Sequence, residues 1–178
     1  MHEPDPATIR AAAAGDRRAF ELLVREHQAI VLRFVRHLVG DAHAEDVAQE
    51  TFIRVHRRLG SYAFRSRFTT WLLQIARNVA IDELRGRARR ERLVLVAPSS
   101  APPSSPDDRA ELHAALASLS PTIVEALVLV EVFGYGYEDV GKVLGVPTGT
   151  VKSRVFQARR KLHEWGEAAE AAGGGGGC

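Results

Sequence analysis

Apolar positions along the chain recur at i, i+3, i+4, the spacing of an amphipathic helix, and glycine or proline interrupts the pattern between one run and the next. The clearest instance is residues 137–162, YEDVGKVLGVPTGTVKSRVFQARRKL. Val140, Val143 and Leu144 share one face of a first segment, and Val151, Val155, Ala158 and Leu162 make a stripe on a second. Between them, Gly145 can take the left-handed backbone that ends a helix, and Pro147 suits the entry to the next. The pattern predicts a helix-turn-helix. Its second helix exposes Thr150, Lys152, Ser153, Arg154, Gln157, Arg159 and Arg160, a face of hydroxyls, an amide and cations with no acid. Such a face fits the major groove of duplex DNA, with cations for phosphates and Arg or Gln for base edges. A plain helical hairpin with a solvated basic face is the alternative. A short break, a placed glycine and one-sided charge together favour the DNA reading.

The rest of the chain extends the helical pattern. Residues 7–14 favour a helix ending at Gly15, and Asp16 can cap a long one that carries Phe20, Leu23, Val24, Val31, Phe34, Val35 and Leu38 on one side. Gly40 ends it and Asp41 can cap the third, about residues 42–59. That helix turns Val47, Ala48, Thr51, Phe52, Val55 and Leu59 inward, and Glu45, Asp46, Gln49, Glu50, Arg54, Arg57 and Arg58 outward. After Gly60 comes SYAFRSRF, then a helix to about Arg90, with Thr69 as cap, Phe68 stapled on Leu73, and Leu72, Ile75, Ala76 and Val79 buried. Residues 93–106 read as a linker, with four prolines and four serines in the last nine positions. Extended, it spans about 40 Å. A second helical unit follows over residues 107–165. Asp107 or Asp108 caps its first helix, and Ser120-Pro121 opens an apolar helix over residues 123–133. Residues 166–178, alanine- and glycine-rich, are expected to be disordered.

Composition sharpens this picture in two places. Aromatics are only 7% of the 178 residues while alanine and leucine abound, which favours small helical bundles over a sheet-based core. Net charge is just +2, but residues 54–92 carry 11 basic and 3 acidic side chains, and residues 150–161 carry 5 and none. Two cationic islands between acidic stretches fit two surfaces facing one polyanion. The single cysteine, Cys178, allows neither an internal disulfide nor a cysteine metal site. The first ten residues do not resemble a signal peptide, and no apolar run reaches the ~20 residues of a membrane span. A soluble intracellular protein without membrane insertion or cofactor is expected.

Residues 62–78 interleave Tyr62, Phe64, Phe68 and Trp71 with Arg65, Arg67 and Arg77, joined by Gln74 and Asn78. Aromatic faces stack on unpaired bases, cations hold the backbone and amides read base edges, the combination single-stranded nucleic acid requires. For Phe68 and Trp71 a purely structural core role competes evenly. The arginine run from Arg85 to Arg92 lies on the same bundle and suits phosphate contact. Asp46, Gln49 and Glu50 share an outward face, but nothing places a nucleophile or oxyanion donor beside them, so docking or plain solvation outweighs catalysis. The histidines include no i, i+4 pair for zinc. GVPTGTVKS lacks the glycine before lysine that a P-loop needs.

Four stretches in order, GDRRAFELLV, DAHAEDVAQETFIRVHRRL, FTTWLLQIARNVAIDELR and YEDVGKVLGVPTGTVKSRVFQARRKL, resemble a bacterial RNA polymerase sigma factor of the extracytoplasmic-function type, over nearly all of residues 16–162. The resemblance implies an all-α fold of two small helical domains, sigma region 2 (residues 7–92) and sigma region 4 (residues 107–165). It implies that Asp46, Gln49, Glu50 and Phe52, with Arg54, dock on core RNA polymerase. It assigns Tyr62, Phe64, Arg65 and Arg67 to a loop that captures a flipped base of the −10 element, with Trp71, Gln74, Arg77, Asn78 and Arg85 beside it. Thr150, Lys152, Ser153, Arg154, Gln157 and Arg160 would read the −35 element. Core polymerase, promoter DNA and an anti-sigma factor are the implied partners, and no catalysis is implied. The chain departs from the family at TIVE (residues 122–125), where arginine and glutamine are common. Gly136 replaces a usual Ser or Thr cap and Gly141 a usual alanine, and each glycine should weaken its helix. Rival readings are a stand-alone helix-turn-helix regulator, which leaves the aromatic loop unexplained, and a sigma mimic that sequesters an anti-sigma factor.

Overall fold

The computed structural model describes residues 3–93 and 119–173, and the side chains of residues 3–90 and 119–166. The linker predicted at 93–106 and the helix opened at Asp107 or Asp108 lie outside this range, apart from Leu93 at the end of a helix and the buried Leu119. Every regular element among the described residues is helical. The chain divides into two compact units, one built around the first four helices and the other around the last three.

In the first unit, α1 (Pro6–Ala13) ends before Gly15, whose φ of 98° a side chain would oppose. Asp16 then caps α2 (Arg17–Val39), its carboxylate accepting from the Arg18 and Ala19 N–H groups at 2.9 and 3.1 Å. Gly40, at φ 79°, separates α2 from α3 (Asp41–Arg58) by a single residue. Asp41 is therefore already helical rather than a cap, and its carboxylate pairs with Arg36 at 2.7 Å. A 3-10 turn (Leu59–Ser61) and an irregular loop lead into α4 (Phe68–Leu93). α2 packs on α3 and α4, and α1 lies against α2 and the 3-10 turn.

The core of this unit is the apolar stripe the periodicity predicts: Leu23, Val31, Phe34 and Val35 from α2, Val47 and Val55 from α3, and Leu72, Ile75, Ala76 and Val79 from α4. Burying each larger apolar side chain contributes about 1.5–3 kcal/mol. Thr51 is buried as well, its hydroxyl donating to the Val47 carbonyl at 2.7 Å. Two inward assignments fail. Ala48 and Phe52 are only half-buried. With Phe20, Val24, Leu32 and Ile53 they line a groove of about 900 Å³ between α2 and α3. The apolar stripes of these two helices are wider than the core they share.

In the second unit, α5 (Pro121–Leu127) follows Ser120, whose carbonyl accepts from the Ile123 and Val124 N–H groups. The Ser120 side chain makes no cap bond and meets the Thr122 hydroxyl instead, at 3.2 Å. The helix widens into a π turn over Val128–Val132, a feature that periodicity alone does not reveal. After Gly134 and Tyr135 come α6 (Tyr137–Leu144) and α7 (Thr148–Gly173). α7 packs on α5. Residues 166–173, read from sequence as the start of a disordered tail, continue α7, in keeping with the strong helix propensity of alanine and glutamate.

Candidate nucleic-acid interface

Three surfaces carry the residues singled out by sequence. The first is the loop at residues 62–67 and the helix it feeds. Tyr62 is its hub: its ring centroid lies 4.7 Å from Phe64, 5.1 Å from Trp71 and 5.7 Å from Phe68. Phe68 is 2% exposed and belongs to the core, in edge contact with the buried His27 ring at 5.3 Å. Trp71 and Tyr62 are half-buried, while Phe64, 45% exposed, projects at the loop tip. The four rings thus grade from structural to accessible, and Tyr62, Phe64 and Trp71 can offer faces to unpaired bases. Inside the loop the Tyr62 hydroxyl donates to the Ser66 carbonyl at 2.6 Å. Burial first, and then the negative charge of Glu3, hold the Tyr62 pKa above its ordinary value, which keeps this donor protonated.

Phe64 is the one non-glycine residue at positive φ among the described residues, at 54°. A left-handed phenylalanine is strained and persists only where its surroundings determine it. The Tyr62 ring on one side and the Arg10 guanidinium, 5.6 Å from the Phe64 centroid, supply that determination.

The start of α4 overturns the sequence-based cap. Phe68 opens the helix, the Arg67 carbonyl accepts from the Trp71 N–H, and Thr69 lies inside the first turn. The capping group comes from the far end of the unit. The Glu3 carboxylate accepts from the Thr69 N–H at 3.0 Å and the Thr69 hydroxyl at 3.3 Å, and pairs with the Arg67 Nε at 3.1 Å. An anion over exposed N–H groups suits a helix N-terminus. Beyond the first turn, Gln74 and Asn78 are exposed one and two helical turns from Trp71, and Arg77 is half-buried. In the arginine run, Arg85 and Arg89 are exposed. Arg87 donates to the Val39 carbonyl at 3.5 Å and Arg90 pairs with Glu83 at 2.9 Å, so these two are tied into the bundle.

The second surface is α3, whose five docking candidates do not share a face. Gln49 and Phe52 line the groove toward α2. Asp46, Glu50 and Arg54 line a cleft toward α4 with Asp82 and Glu83. There Arg54 bridges Glu50 and Asp82, each at 2.8 Å. Those bonds, to Asp82 first and Glu50 second, raise its pKa further, so Arg54 serves as a brace between α3 and α4.

The third surface is the helix-turn-helix. Gly145 ends α6 in left-handed conformation, φ 67° and ψ 35°. Gly136 precedes α6 with no side-chain cap bond. Gly141 has a steric reason to be there: a Cβ at this position would lie 2.9 Å from the Val146 carbonyl oxygen. The glycine lets the turn fold against α6, an effect opposite to the simple weakening that propensity suggests. α7 buries Val151, Val155 and Ala158. Its exposed face shows Lys152, Ser153, Gln157 and Arg160, and the Gln157 amide reaches the Ser153 hydroxyl at 3.5 Å. Thr150 and Arg154 are half-buried on its flank. Arg159, expected on the same free face, is instead held by Glu131, its Nε donating at 3.0 Å. Sequence reading passes over Phe156, which is 67% exposed on the same helix. An apolar residue out of phase with the stripe Val151–Val155–Ala158 is the available signal.

Among the described residues no cluster of His, Cys, Asp and Glu could hold a metal ion, and no helix is long and apolar enough to cross a membrane. Residues 23–90 match the sigma-70 region 2 family profile, and residues 109–162 match that of sigma-70 region 4. The RNA polymerase sigma-H factor of Pseudomonas aeruginosa is 36% identical, over 90% of this chain and 92% of that protein. Among solved structures, CnrH in complex with the cytosolic domain of CnrY has TM-score 0.69 at 27% identity, covering 91% of this chain and 96% of that one. The sigma factor RpoE of Bartonella quintana, in complex with the anti-sigma factor NepR, has TM-score 0.68 at 28% identity, covering 83% and 96%. Two family profiles in sequence order, a relative matched along nearly its whole length and two whole-chain structural likenesses agree, and the chain belongs to the extracytoplasmic-function sigma factors of the sigma-70 family.

Proposed function

We propose that this sigma factor binds core RNA polymerase in the cytoplasm and directs it to promoters by two separated readings of DNA. Residues 7–92 act as region 2 and residues 107–165 as region 4, with residues 93–106 as the tether between them. The α7 face reads the −35 element as duplex: Lys152 and Arg160 hold phosphates, and Ser153, Arg154 and Gln157, flanked by Thr150, reach base edges. The loop of Tyr62, Phe64, Arg65 and Arg67, with Trp71, Gln74, Arg77, Asn78 and Arg85 beside it, holds the opened −10 strand. Extruding a base costs a few kcal/mol, and stacking of about 1–3 kcal/mol per base plus hydrogen bonds offsets it. The chain's own part is to bind and position, with no bond made or broken by its side chains. Asp46, Gln49, Glu50 and Phe52 serve the contact with core polymerase, with Arg54 bracing their helix. RpoE of Bartonella quintana was solved with the anti-sigma factor NepR bound, and an anti-sigma factor is proposed as the partner that holds this chain inactive.

The observation that carries this reading is the aromatic loop tipped by a strained, exposed Phe64, which a stand-alone duplex-binding regulator would not need. Run-off transcription with core polymerase on a promoter library tests it. Initiation at a defined subset of templates is expected, and the absence of added initiation on every template would refute it. Asp46→Ala and Gln49→Ala should each weaken polymerase pull-down while leaving the melting temperature of the free protein unchanged. Equal pull-down by mutant and wild type would remove those residues from the contact.

A further inference from the structure

The proposed −10 apparatus begins at Tyr62, yet two charged side chains from far upstream grip the loop at its tip and its exit. Glu3 reaches across 66 positions of sequence to Thr69 and holds Arg67 at the loop's exit. Arg10, on α1, stands over the ring of Phe64 at the tip. The ion pair in this grip is poorly placed for adding stability, and the cap on Thr69 needs only an oxygen, not a charge. The Arg67 and Glu3 side chains are 46% and 32% exposed, and ion pairs so accessible to water contribute little. Phe68, Leu72 and Leu73, all at most 2% exposed, already secure the start of α4. What the two side chains do determine is conformation: the direction of the Arg67 guanidinium and the left-handed backbone of Phe64.

We infer that Glu3 and Arg10 are positioning residues for the single-strand loop, holding Arg67 and Phe64 in the geometry that meets unpaired bases. The inference rests on the −10 reading proposed above. A loop of six residues without regular structure would otherwise order itself on binding, at an entropic cost that preorganisation removes. Glu3 also sets a negative charge against Arg67, so the loop holds a strand more by the fit of its rings than by charge. Removing that carboxylate should therefore loosen selectivity while strengthening indiscriminate, salt-sensitive binding.

The test uses the full chain and single-stranded DNA decamers carrying a randomised hexamer, followed by anisotropy titrations of the enriched sequence and a scrambled one at several salt concentrations. Wild type should enrich a sequence. If it enriches none, the −10 reading fails and the inference falls with it. Given enrichment, Glu3→Gln, which keeps an amide oxygen over the Thr69 N–H, should lower the ratio of scrambled to enriched Kd by about three- to tenfold. Its salt dependence should steepen by about 0.7 in log–log slope as one more cation meets phosphate. Thermal unfolding of Glu3→Gln should match wild type. Wild-type selectivity in Glu3→Gln overturns the proposal, as does a loss of selectivity matched by a lowered melting temperature, which would mark a merely structural role. Arg10→Ala should weaken binding of the enriched sequence by about two- to fivefold. An Arg10→Ala chain with wild-type affinity overturns that half of the proposal.

Discussion

The two surfaces proposed to meet DNA are built in opposite ways. The helix-turn-helix is local: Gly145 ends one helix, Gly141 admits the turn, and Val151, Val155 and Ala158 seat the next, all within 18 residues. The aromatic loop has no regular structure of its own, and its shape is imposed by Phe68 on the buried His27, by Glu3 on Thr69 and by Arg10 on Phe64. A duplex presents a fixed groove that a rigid helix can meet. An opened strand is floppy, so the protein side must supply the order, and order in an irregular loop comes from tertiary contacts.

Four substitutions test that contrast. The largest effect is expected from Phe68→Ala, which empties the ring's site beneath the loop and should cost about 3–5 kcal/mol. Hydrogen exchange in α4 would report it, and a loss near zero would mean that the loop does not depend on the core below. Tyr62→Ala should leave the fold intact but weaken binding of the opened strand by about 10- to 100-fold, the range of one lost stacking contact. Unchanged affinity in anisotropy would remove Tyr62 as the hub. Gly141→Ala gains about 1 kcal/mol of helix propensity but drives a methyl into the Val146 carbonyl, so a net loss of about 1 kcal/mol is expected. A raised melting temperature would show that the turn relaxes and that α6 is ordinary. Lys152→Ala should change stability by less than about 0.5 kcal/mol while lowering the salt slope of −35 duplex binding by about 0.9. An unaltered slope would take Lys152 off the phosphates.

The same contrast governs how much is legible in the sequence. The helices, the Asp16 cap, the Gly40 and Gly145 stops and most of the buried stripe come directly from spacing and residue type. The helix proposed for recognition can be singled out because its polar and apolar faces are separated within the segment. Thr69 reads as a cap only because its real partner is a carboxylate 66 positions away, and no local pattern points to Glu3. Arg54 and Arg159 look like free cations in sequence, but Asp82 and Glu131, each 28 positions distant, claim them. Ala48 and Phe52 are expected inside because periodicity reports which way a side chain faces and cannot tell a filled core from an open groove. Phe156 escapes notice because an apolar residue on a polar helix is easily passed over as noise.

The π turn that continues α5 has a consequence for the length of the second unit. A wide turn holds one residue more than an α turn, so it shifts the phase of the helix across Val128–Val132 without breaking it. Deleting Val130 would restore ordinary winding and rotate the upstream part of α5 by about 100° relative to Glu131 and the residues after it. Either the buried side of Ala126 and Leu127 or the Glu131 tether to Arg159 would then have to be given up. A one-residue length change at this point is thus a change of registration between α5 and the face of α7 that Arg159 borders, and the unit should tolerate substitutions there far better than deletions.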